Sequence, residues 1–281
     1  MIPANFDYES PSNLNEALDL LASRDDAKIL AGGHSLLPAM KLRLAQPATL
    51  IDLGRVAGLN YIRESGSQIA VGALSTHADI AKSSLLLQAS PLLALAATQI
   101  GDIQVRNRGT VGGSLAQAHP AADYPAAILA LDAEIVARSR SGERVIPASK
   151  FFDGMFATAL KADEILTEVR VPKTLGERVG YKKFHHPASG YAVVGVAARV
   201  KLAGATIQDV WVAITGVADI AYRATGVEAA LRGKASSEVE AASAHAADGV
   251  DAIGDAFASA EYRKHLASVM IKRTLLEAIK G

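Results

Sequence analysis

Cysteine is absent from this chain of 281 residues. A structural disulfide, a zinc site with cysteine ligands and an iron–sulfur cluster held by the chain's own thiolates are therefore excluded. Redox chemistry, if the chain supports any, then requires a bound organic cofactor. This absence narrows the possible functions more than any other feature of the composition.

Net charge and long apolar runs are also lacking. Lys and Arg together number 29, as do Asp and Glu, so no overall field attracts nucleic acid or an anionic membrane. No apolar run approaches the roughly 20 residues that span a bilayer. The start of the chain, MIPANFDYESP, lacks the basic and apolar regions of a signal peptide. Half of the residues are apolar and only 5% aromatic, which predicts a cytoplasmic protein of the α/β or α+β class.

Two glycine-rich turns stand out along the chain, AGGHSL at Ala31–Leu36 and GTVGGSL at Gly109–Leu115. Each is predicted to follow a strand-like apolar run. Glycine tolerates positive φ and has no Cβ, so such turns let several backbone N–H groups point at one anion. Two turns of this kind predict two phosphates, and hence a pyrophosphate.

The first turn shares some features with a dinucleotide-binding βαβ unit, since Asp52 follows the Gly32–Gly33 pair by about 20 residues. The spacing G-x-G-x-x-G is absent, however, and Pro38 interrupts the short helix that follows. No Gly-Lys-Ser/Thr follows either glycine pair, so a P-loop is excluded. Asp52 is accordingly interpreted as a structural residue at the end of a strand.

The second turn carries hydroxyls beside its glycines, because Thr110 and Ser114 bracket Gly112–Gly113. Such a turn predicts a compact phosphate cradle. The preceding Arg106 and Arg108 either supply charge to it or are ordinary loop residues. Asp123 either binds hydroxyl or N–H groups of a ligand or caps a helix before Pro125.

No catalytic or metal site is predicted. His185 and His186 are adjacent and would point apart in a strand, while His245 and His265 fall in Ala-rich helical stretches. No H-E-x-x-H spacing occurs. Ser35 and Ser114 lie outside any G-x-S-x-G elbow, so a hydrolase is not expected.

The periodicity of apolar residues divides the chain into a compact N-terminal unit, a middle segment and a C-terminal part of strands followed by helices. The predicted helices are Ser12–Leu21, capped by Ser12, Leu85–Ile100, Pro125–Leu131 and a series from about Thr225 to Ile279. The predicted strands are Ala27–Leu30, Thr49–Leu53, Tyr61–Arg63, Gln68–Gly72, Glu134–Arg138, Ile165–Val171, Gly180–His185, Ala192–Leu202 and Val210–Thr215. The last three are expected to form an antiparallel meander.

Two long segments, AGGHSLLPAMKLRLAQPATLIDL and QVRNRGTVGGSLAQAHPAADYPAA, resemble the medium, FAD-binding subunit of molybdenum hydroxylases. This is the xanthine dehydrogenase and carbon monoxide dehydrogenase family. The resemblance implies an α+β fold with an FAD-binding domain of the vanillyl-alcohol-oxidase (PCMH) type over residues 1–176, in subdomains of about 1–57 and 58–176. The CO dehydrogenase flavoprotein C-terminal domain, of antiparallel sheet and helices, would cover 177–281.

The same resemblance implies an oxidoreductase of three kinds of subunit. A large subunit with the molybdenum cofactor would oxidise an aldehyde, an N-heterocycle or CO, and a small subunit would carry two [2Fe–2S] clusters. This chain would hold FAD and pass electrons to an external acceptor, within a dimer of heterotrimers. A self-contained FAD reductase of similar architecture and a flavin-free assembly scaffold are the alternatives.

The resemblance also assigns residues to the cofactor. Ala31–Leu36 and Thr110–Ser114 would wrap the pyrophosphate, Asp123 would hydrogen-bond the cofactor, and Ile100 would pack against the isoalloxazine. Lys182 would lie near the flavin and Tyr191 would cover its ring. The full set is Ala31, Gly32, Gly33, His34, Ser35, Leu36, Ile100, Gly109, Thr110, Val111, Gly112, Gly113, Ser114, Asp123, Lys182 and Tyr191, with no metal ligand and no proton-transfer catalyst.

Overall fold

The N-terminal unit is a small parallel sheet covered by a helix. The computed structural model describes residues 2–281, so residue 1 of the first predicted domain lies outside it. The elements are β1 (Asp7–Glu9), α1 (Leu14–Ser23), β2 (Ala27–Leu30), α2 (Leu36–Lys41) and β3 (Thr49–Asp52). Both β1 and β2 run parallel to β3, which lies between them. Buried Leu18 of α1 and Ile51 of β3 belong to the same apolar cluster, which fixes the helix on the sheet.

The first helix begins one residue later than its sequence indicates. Asn13, and not Ser12, is the N-cap, and its side chain accepts a hydrogen bond from the Glu16 N–H at 3.0 Å. Ser12 instead donates its backbone N–H to the Glu16 carboxylate at 2.8 Å. Both residue types are good caps, so the sequence alone does not choose between them.

The middle segment forms an antiparallel sheet with helices packed against it. Its strands are β4 (Ile62–Ser65), β5 (Gln68–Gly72), β6 (Glu134–Ser139), β7 (Gly142–Pro147), β8 (Phe152–Gly154), β9 (Ala157–Thr158) and β10 (Ile165–Pro172), and its helices are α3 (His77–Lys82), α4 (Ser84–Ala89), α5 (Pro91–Thr98), α6 (Ile103–Arg108), α7 (Val111–Gln117) and α8 (Asp123–Ala130). The sheet order is β4-β5-β10-β6-β7, and β8 pairs with β9 separately. The hairpin predicted at the SRSGER turn is confirmed, since Ser139 pairs with Gly142.

The single long helix predicted over Leu85–Ile100 is wrong. The chain forms α4 and α5 instead, with Ser90 between them and Pro91 at the first position of the second helix. Proline has no N–H to continue a helix and fits best in its first turn. The many Ala and Leu residues on both sides of Pro91 favour a single helix, which is why the sequence pattern does not show this break.

The C-terminal part is the predicted antiparallel meander, backed by helices. Its elements are β11 (Arg178–His185), β12 (Ala192–Ala203), β13 (Thr206–Thr215), β14 (Tyr222–Arg223), α9 (Thr225–Leu231), β15 (Lys234–Ala235), α10 (Val239–Ala242) and α11 (Ala260–Lys280). The strands β11, β12 and β13 pair in chain order, each antiparallel to the next. Val196, Val212 and Ile271 share one buried cluster, so α11 covers this sheet. The mixed sheets and helices give the α+β class that was expected.

The start of α11 is anchored by a buried arginine. Arg263 donates hydrogen bonds to the backbone carbonyls of Val193 and Gly216 at 2.7 and 2.6 Å, and pairs with Asp255 at 2.5 Å. Gly216 has φ +86° and lies so close to the Val193 carbonyl that a Cβ would meet its oxygen at 2.6 Å. In residues 2–281, no helix combines the length and the apolar character needed to cross a membrane.

We expect Arg263→Met to lower the free energy of unfolding by about 3 kcal/mol, because two buried carbonyls lose their donor. Chemical denaturation of the purified chain measures this. The matched control is Lys264→Met, since the neighbouring lysine is exposed and its loss should change stability by no more than about 0.5 kcal/mol. Equal effects of the two changes would contradict the anchoring role.

Candidate functional site

The two glycine-rich turns lie in direct backbone contact. The first follows β2, as predicted, whereas the second follows the helix α6 and not a strand. A Cβ on Gly32 would lie 2.8 Å from Gly109 Cα, and closer still to the Arg108 carbonyl. A Cβ on Gly113 would lie 3.6 Å from the Cβ of Ala31. The glycines therefore permit a close approach of two segments nearly 80 residues apart in the chain.

The first turn has unpaired backbone donors. Among residues 2–281, no acceptor receives a hydrogen bond from the backbone N–H groups of residues 31–36. Gly33 adopts φ +75°, and its carbonyl accepts from the Leu37 N–H at 3.1 Å, which curls the turn. Because unpaired donors that are partly shielded from water favour an anion, this turn fits a phosphate well.

The second turn differs from its prediction, because its amides are mostly used within the chain. The Val111 and Gly112 N–H groups donate to Ser75 and Ala73 carbonyls at 3.1 and 2.9 Å. The Gly113 N–H donates to the Thr110 hydroxyl at 3.1 Å, which caps α7. The expectation of a cradle of bare N–H groups at this turn is therefore wrong. Beside the first turn, Gly112 and Gly113 of this turn form a rigid surface that carries no side chain.

The two arginines before the second turn have different surroundings. Arg106 donates to the carbonyls of Ile100 and Gly101 at 2.9 and 3.0 Å, so it holds the end of α5 in place. Within residues 2–281, the Arg108 side chain makes no hydrogen bond or ion pair, and it is exposed. Both arginines lie in the helix α6 and not in a loop, and the hydrogen bonds of Arg106 are structural. Ile100 itself is half-buried and packs against the main core.

Asp123 is buried and paired within the chain, and it is not the N-cap of α8. Ala122 holds the N-cap position of α8, and Asp123 is the first helical residue. Its carboxylate accepts from the Tyr181 hydroxyl at 2.5 Å and lies 3.0 Å from the Lys183 ammonium. Burial raises the pKa of Asp123, and the charge of Lys183 opposes that rise. The carboxylate therefore ties α8 to β11 of the C-terminal part.

Lys182 is not brought to this cluster. Its ammonium pairs with Glu277 of α11 at 2.5 Å, on the opposite face of β11. The adjacent Lys183 has a buried side chain and donates to the Gly190 carbonyl at 2.7 Å as well as to Asp123. Successive residues of a strand point to opposite faces, so Lys183 shares the face of Tyr181. The alternation along the strand therefore favours Lys183 over Lys182 as the lysine that faces Asp123.

Tyr191 reaches the first turn from the C-terminal part. Burial raises the pKa of Tyr191, and the nearby Ser35 side chain opposes that rise. The preceding Gly190 lies against Gly101, with 3.8 Å from its Cβ position to the Gly101 Cα. The loop that carries Tyr191 therefore meets both the first glycine turn and the turn after Ile100.

Two histidines of this region went unrecognised in the sequence. The His77 Nδ1 lies 3.1 Å from the Tyr124 hydroxyl, and burial lowers the pKa of His77 to about 4. A Cβ on Gly109 would meet the His77 Nε2 at 2.5 Å, which explains why position 109 is glycine. His119 stacks on Tyr191 with ring centroids 4.2 Å apart. His77 lies in neither of the two family-like segments, and His119 lies inside the second of them but carries no role that the segment predicts, so the tertiary structure identifies both.

The predicted site residues thus fall into one region, with one exception. The structure brings together the two turns, Ile100, Asp123 and Tyr191, and it leaves Lys182 on the other face of its strand. The unpaired backbone N–H groups of the first turn lie beside Gly112 and Gly113 of the second turn, and the ring of Tyr191 lies on one side of them. Chemically, this arrangement suits an anionic diphosphate joined to a planar group.

Comparison with known proteins identifies the relatives of this arrangement. Residues 4–174 match the family described as the FAD binding domain in molybdopterin dehydrogenase, and residues 180–278 match the CO dehydrogenase flavoprotein C-terminal domain. The carbon monoxide dehydrogenase medium chain of Hydrogenophaga pseudoflava is 41% identical over 98% of this chain and 97% of its own. The nicotine 6-hydroxylase medium subunit of Paenarthrobacter nicotinovorans is 40% identical over 96% of each chain.

Solved structures agree with this comparison. A chain of the Hydrogenophaga pseudoflava carbon monoxide dehydrogenase that lacks the Mo-pyranopterin moiety superimposes with a TM-score of 0.96, covering 100% of this chain and 99% of that one at 41% identity. A chain of quinoline 2-oxidoreductase from Pseudomonas putida 86 gives a TM-score of 0.95 with the same coverage and 32% identity. The similarity extends over both the N-terminal and the C-terminal parts.

We expect Lys183→Met to lower the free energy of unfolding by about 3–5 kcal/mol, because the buried Asp123 carboxylate loses its counter-charge. The matched control is Lys182→Met, which removes an exposed ion pair and should cost at most about 1 kcal/mol. Denaturant titration of both variants measures the difference. If the two lysines prove equivalent, the buried pair does not stabilise the fold.

The deficit of Lys183→Met should also depend on pH. Burial already raises the pKa of Asp123, and loss of the lysine raises it further. When the pKa of a carboxyl is higher in the folded than in the unfolded state, stability is unaffected at a pH where both states are protonated. Stability falls as the pH rises above the pKa of the unfolded state, because only the unfolded state then loses its proton readily. The deficit is therefore expected to be smaller at about pH 5 than at about pH 8, measured by the same titration. A deficit independent of pH would mean that Asp123 is not the group left unpaired.

Proposed function

This chain belongs to the molybdenum hydroxylase family as an FAD-binding medium subunit, and from that premise we propose how its residues hold the flavin. It is part of an oxidoreductase complex in which the molybdenum cofactor and the iron–sulfur clusters lie on other subunits. The absence of cysteine agrees with this division. The observation that carries the proposal is the set of unpaired amides in the first glycine turn.

The pyrophosphate of FAD is assigned to the cleft between the two turns. The backbone N–H groups of residues 31–36 would donate to it, and the absence of a Cβ at Gly112–Gly113 would leave room for it beside the start of α7. The N-terminal end of α7 adds a partial positive charge. The half-buried Arg106 and the buried Lys183 side chains direct their hydrogen bonds elsewhere, so backbone dipoles would neutralise most of the phosphate charge.

The flavin end of the cofactor is assigned to the side of the turns where Ile100 and Tyr191 lie. Both side chains are partly exposed and can offer apolar contact to a ring. Lys183 replaces Lys182 as the lysine on this side. Asp123 keeps its predicted role as an acceptor, since each carboxylate oxygen has lone pairs beyond those used by Tyr181 and Lys183.

Bound FAD supplies a centre that accepts electrons from the iron–sulfur clusters and passes them to an external acceptor. The chain's own residues orient the cofactor and control the charge around it. The Asp123 carboxylate is balanced by Lys183 at 3.0 Å. His77 is neutral near pH 7 because burial lowers its pKa to about 4. No side chain here is required to transfer a proton, so the set has no catalytic acid or base.

The finer assignments remain proposals. We assign residues 1–176 to the FAD-binding domain, with subdomains of about 1–57 and 58–176, and 177–281 to the C-terminal domain. The partners of this chain are a large molybdenum subunit and a small [2Fe–2S] subunit. The three subunits form a heterotrimer, and two heterotrimers form the complex. Substrate is oxidised on the large subunit, and relatives named for CO, nicotine and glyceraldehyde all match this chain. Cytoplasmic location stays a prediction.

Gly113→Val should abolish copurification of FAD with the chain. The valine Cβ would lie 2.8 Å from the Thr110 hydroxyl and extend toward Ala31, which closes the cleft between the turns. The molar ratio of flavin to protein, from absorbance near the flavin bands, measures the loss, expected to be at least about tenfold. Ala116→Val, on the exposed side of α7, should keep full occupancy. Full occupancy in Gly113→Val would mean that the pyrophosphate assignment is wrong.

Copurification should yield a complex with two copies of each of three subunits. Metal analysis is expected to give about one molybdenum and about four iron atoms per FAD, the content of two [2Fe–2S] clusters. Mass measurement of the native complex decides the number of copies. Recovery of a single heterotrimer would contradict the dimer, and recovery of a flavin-loaded chain without metal-bearing partners would favour the self-contained reductase.

A further inference from the structure

His119 lies between two aromatic side chains from different parts of the chain. Tyr191 stacks on one side of the imidazole with ring centroids 4.2 Å apart and an interplanar angle of 9°. Phe156, from the tip of the β8–β9 hairpin, packs edge-on with centroids 5.2 Å apart and an angle of 84°. These are the stacked and T-shaped geometries that aromatic pairs prefer. The imidazole is therefore a link between this hairpin and the loop of Tyr191.

The orientation of the His119 ring is set by its own backbone turn. Its Nδ1 accepts a hydrogen bond from the Ala121 N–H at 3.1 Å, which leaves the proton of the neutral ring on Nε2. The Phe156 N–H donates to the Ala118 carbonyl at 3.1 Å, which fixes the hairpin tip against the same turn. Burial lowers the pKa of His119, which favours the neutral form. The Ala121 N–H and the Phe156 ring thus hold the imidazole independently of Tyr191.

Tyr191, by contrast, lies on an exposed loop. Pro187, Ala188 and Ser189 are exposed, and the next residue, Gly190, has φ +71°. In the part of the chain that the structure describes, the Tyr191 ring has one aromatic partner, which is His119. The backbone of this loop is held by hydrogen bonds: the His186 N–H donates to the Tyr191 carbonyl at 2.8 Å, the Gly190 N–H donates to the His186 carbonyl at 2.8 Å, and Lys183 donates to the Gly190 carbonyl at 2.7 Å. These bonds hold the backbone and not the ring, so the His119 stack is the aromatic contact that orients the Tyr191 side chain.

We propose that His119 is a positioning residue that holds the Tyr191 ring beside the first glycine turn, and through that ring sets how the flavin is covered. The inference rests on the proposed function, which assigns Tyr191 to the flavin end of the cofactor. His119 belongs to the segment between α7 and α8, whereas Tyr191 immediately precedes β12. The stack thus fixes the loop of the C-terminal part relative to the FAD-binding part at the point where both meet the cofactor.

The first experiment needs no flavin. Nitration of tyrosines by tetranitromethane, quantified by mass spectrometry in the purified full chain, compares Tyr191 with Tyr262, which has similar exposure (36% and 42%). His119→Asn removes the ring but keeps an acceptor for the turn. We expect Tyr191 in this variant to be nitrated about threefold to tenfold faster, the factor by which such a ring pair stabilises the stacked state.

Two further variants separate the ring from other effects. His119→Phe keeps a ring and loses the acceptor, so Tyr191 should react within about twofold of its original rate. His245→Ala changes an exposed histidine far along the chain and should leave both tyrosines unchanged. Unchanged nitration in His119→Asn, an equal rise in His119→Phe, or a rise shared by Tyr262 would each overturn the proposal.

A second measurement tests the link to the flavin. A tyrosine ring stacked near a flavin quenches its emission, so the fluorescence of FAD added to the full chain should rise about threefold in both Tyr191→Leu and His119→Asn. If Tyr191→Leu leaves the emission unchanged, the proposed placement of Tyr191 fails, while the nitration result still decides the role of His119. If only Tyr191→Leu raises it, His119 does not position the ring, and the inference fails alone.

Discussion

The backbone contact between the two glycine-rich turns is the constraint on which the site depends. Gly32 lies against the Arg108 carbonyl and Gly109 Cα, at a separation that no side chain permits. This contact joins the small parallel sheet of the N-terminal unit to the helices of the middle segment. It also places a row of unpaired amides opposite a bare helix start. The pyrophosphate is assigned, as a proposal, to the place where these two turns meet.

The two turns have different physical roles despite their similar sequences. The backbone N–H groups of the first turn have no acceptor within the described chain, whereas those of the second turn donate hydrogen bonds to Ser75, Ala73 and Thr110. A turn whose donors are all unpaired would be poorly held without ligand. The internal bonds of the second turn supply a rigid wall, against which the first turn is placed. Rigidity and binding capacity are thus divided between two segments.

The C-terminal part completes the site through two contacts of different kinds. The buried pair of Asp123 and Lys183 joins α8 to β11, and its geometry depends on the strand alternation that turns Lys182 outward. The Tyr191–His119 stack joins the two parts at the surface. Buried ion pairs hold a fixed geometry because breaking them leaves an uncompensated charge. The stacked rings are more exposed and less constrained.

Local patterns in the sequence determined most of the fold. The alternation of apolar residues predicted the meander of β11, β12 and β13, and the Gly/Ser turn predicted the β6–β7 hairpin, because both depend on neighbouring residues. The glycine pairs and the missing cysteines indicated an organic cofactor. Resemblance to a family then supplied its identity. The boundary between α4 and α5 was missed because the run of Ala and Leu outweighed Pro91.

What only the tertiary structure decided concerns residues distant in the chain. The unpaired amides of the first turn, the buried partner of Asp123 and the stack of His119 on Tyr191 all depend on which segments meet. Hydrogen bonding and burial are properties of a three-dimensional neighbourhood, and a motif states only which groups are available. The sequence therefore determined the chemical groups of the site, and packing decided which of them remain free to bind.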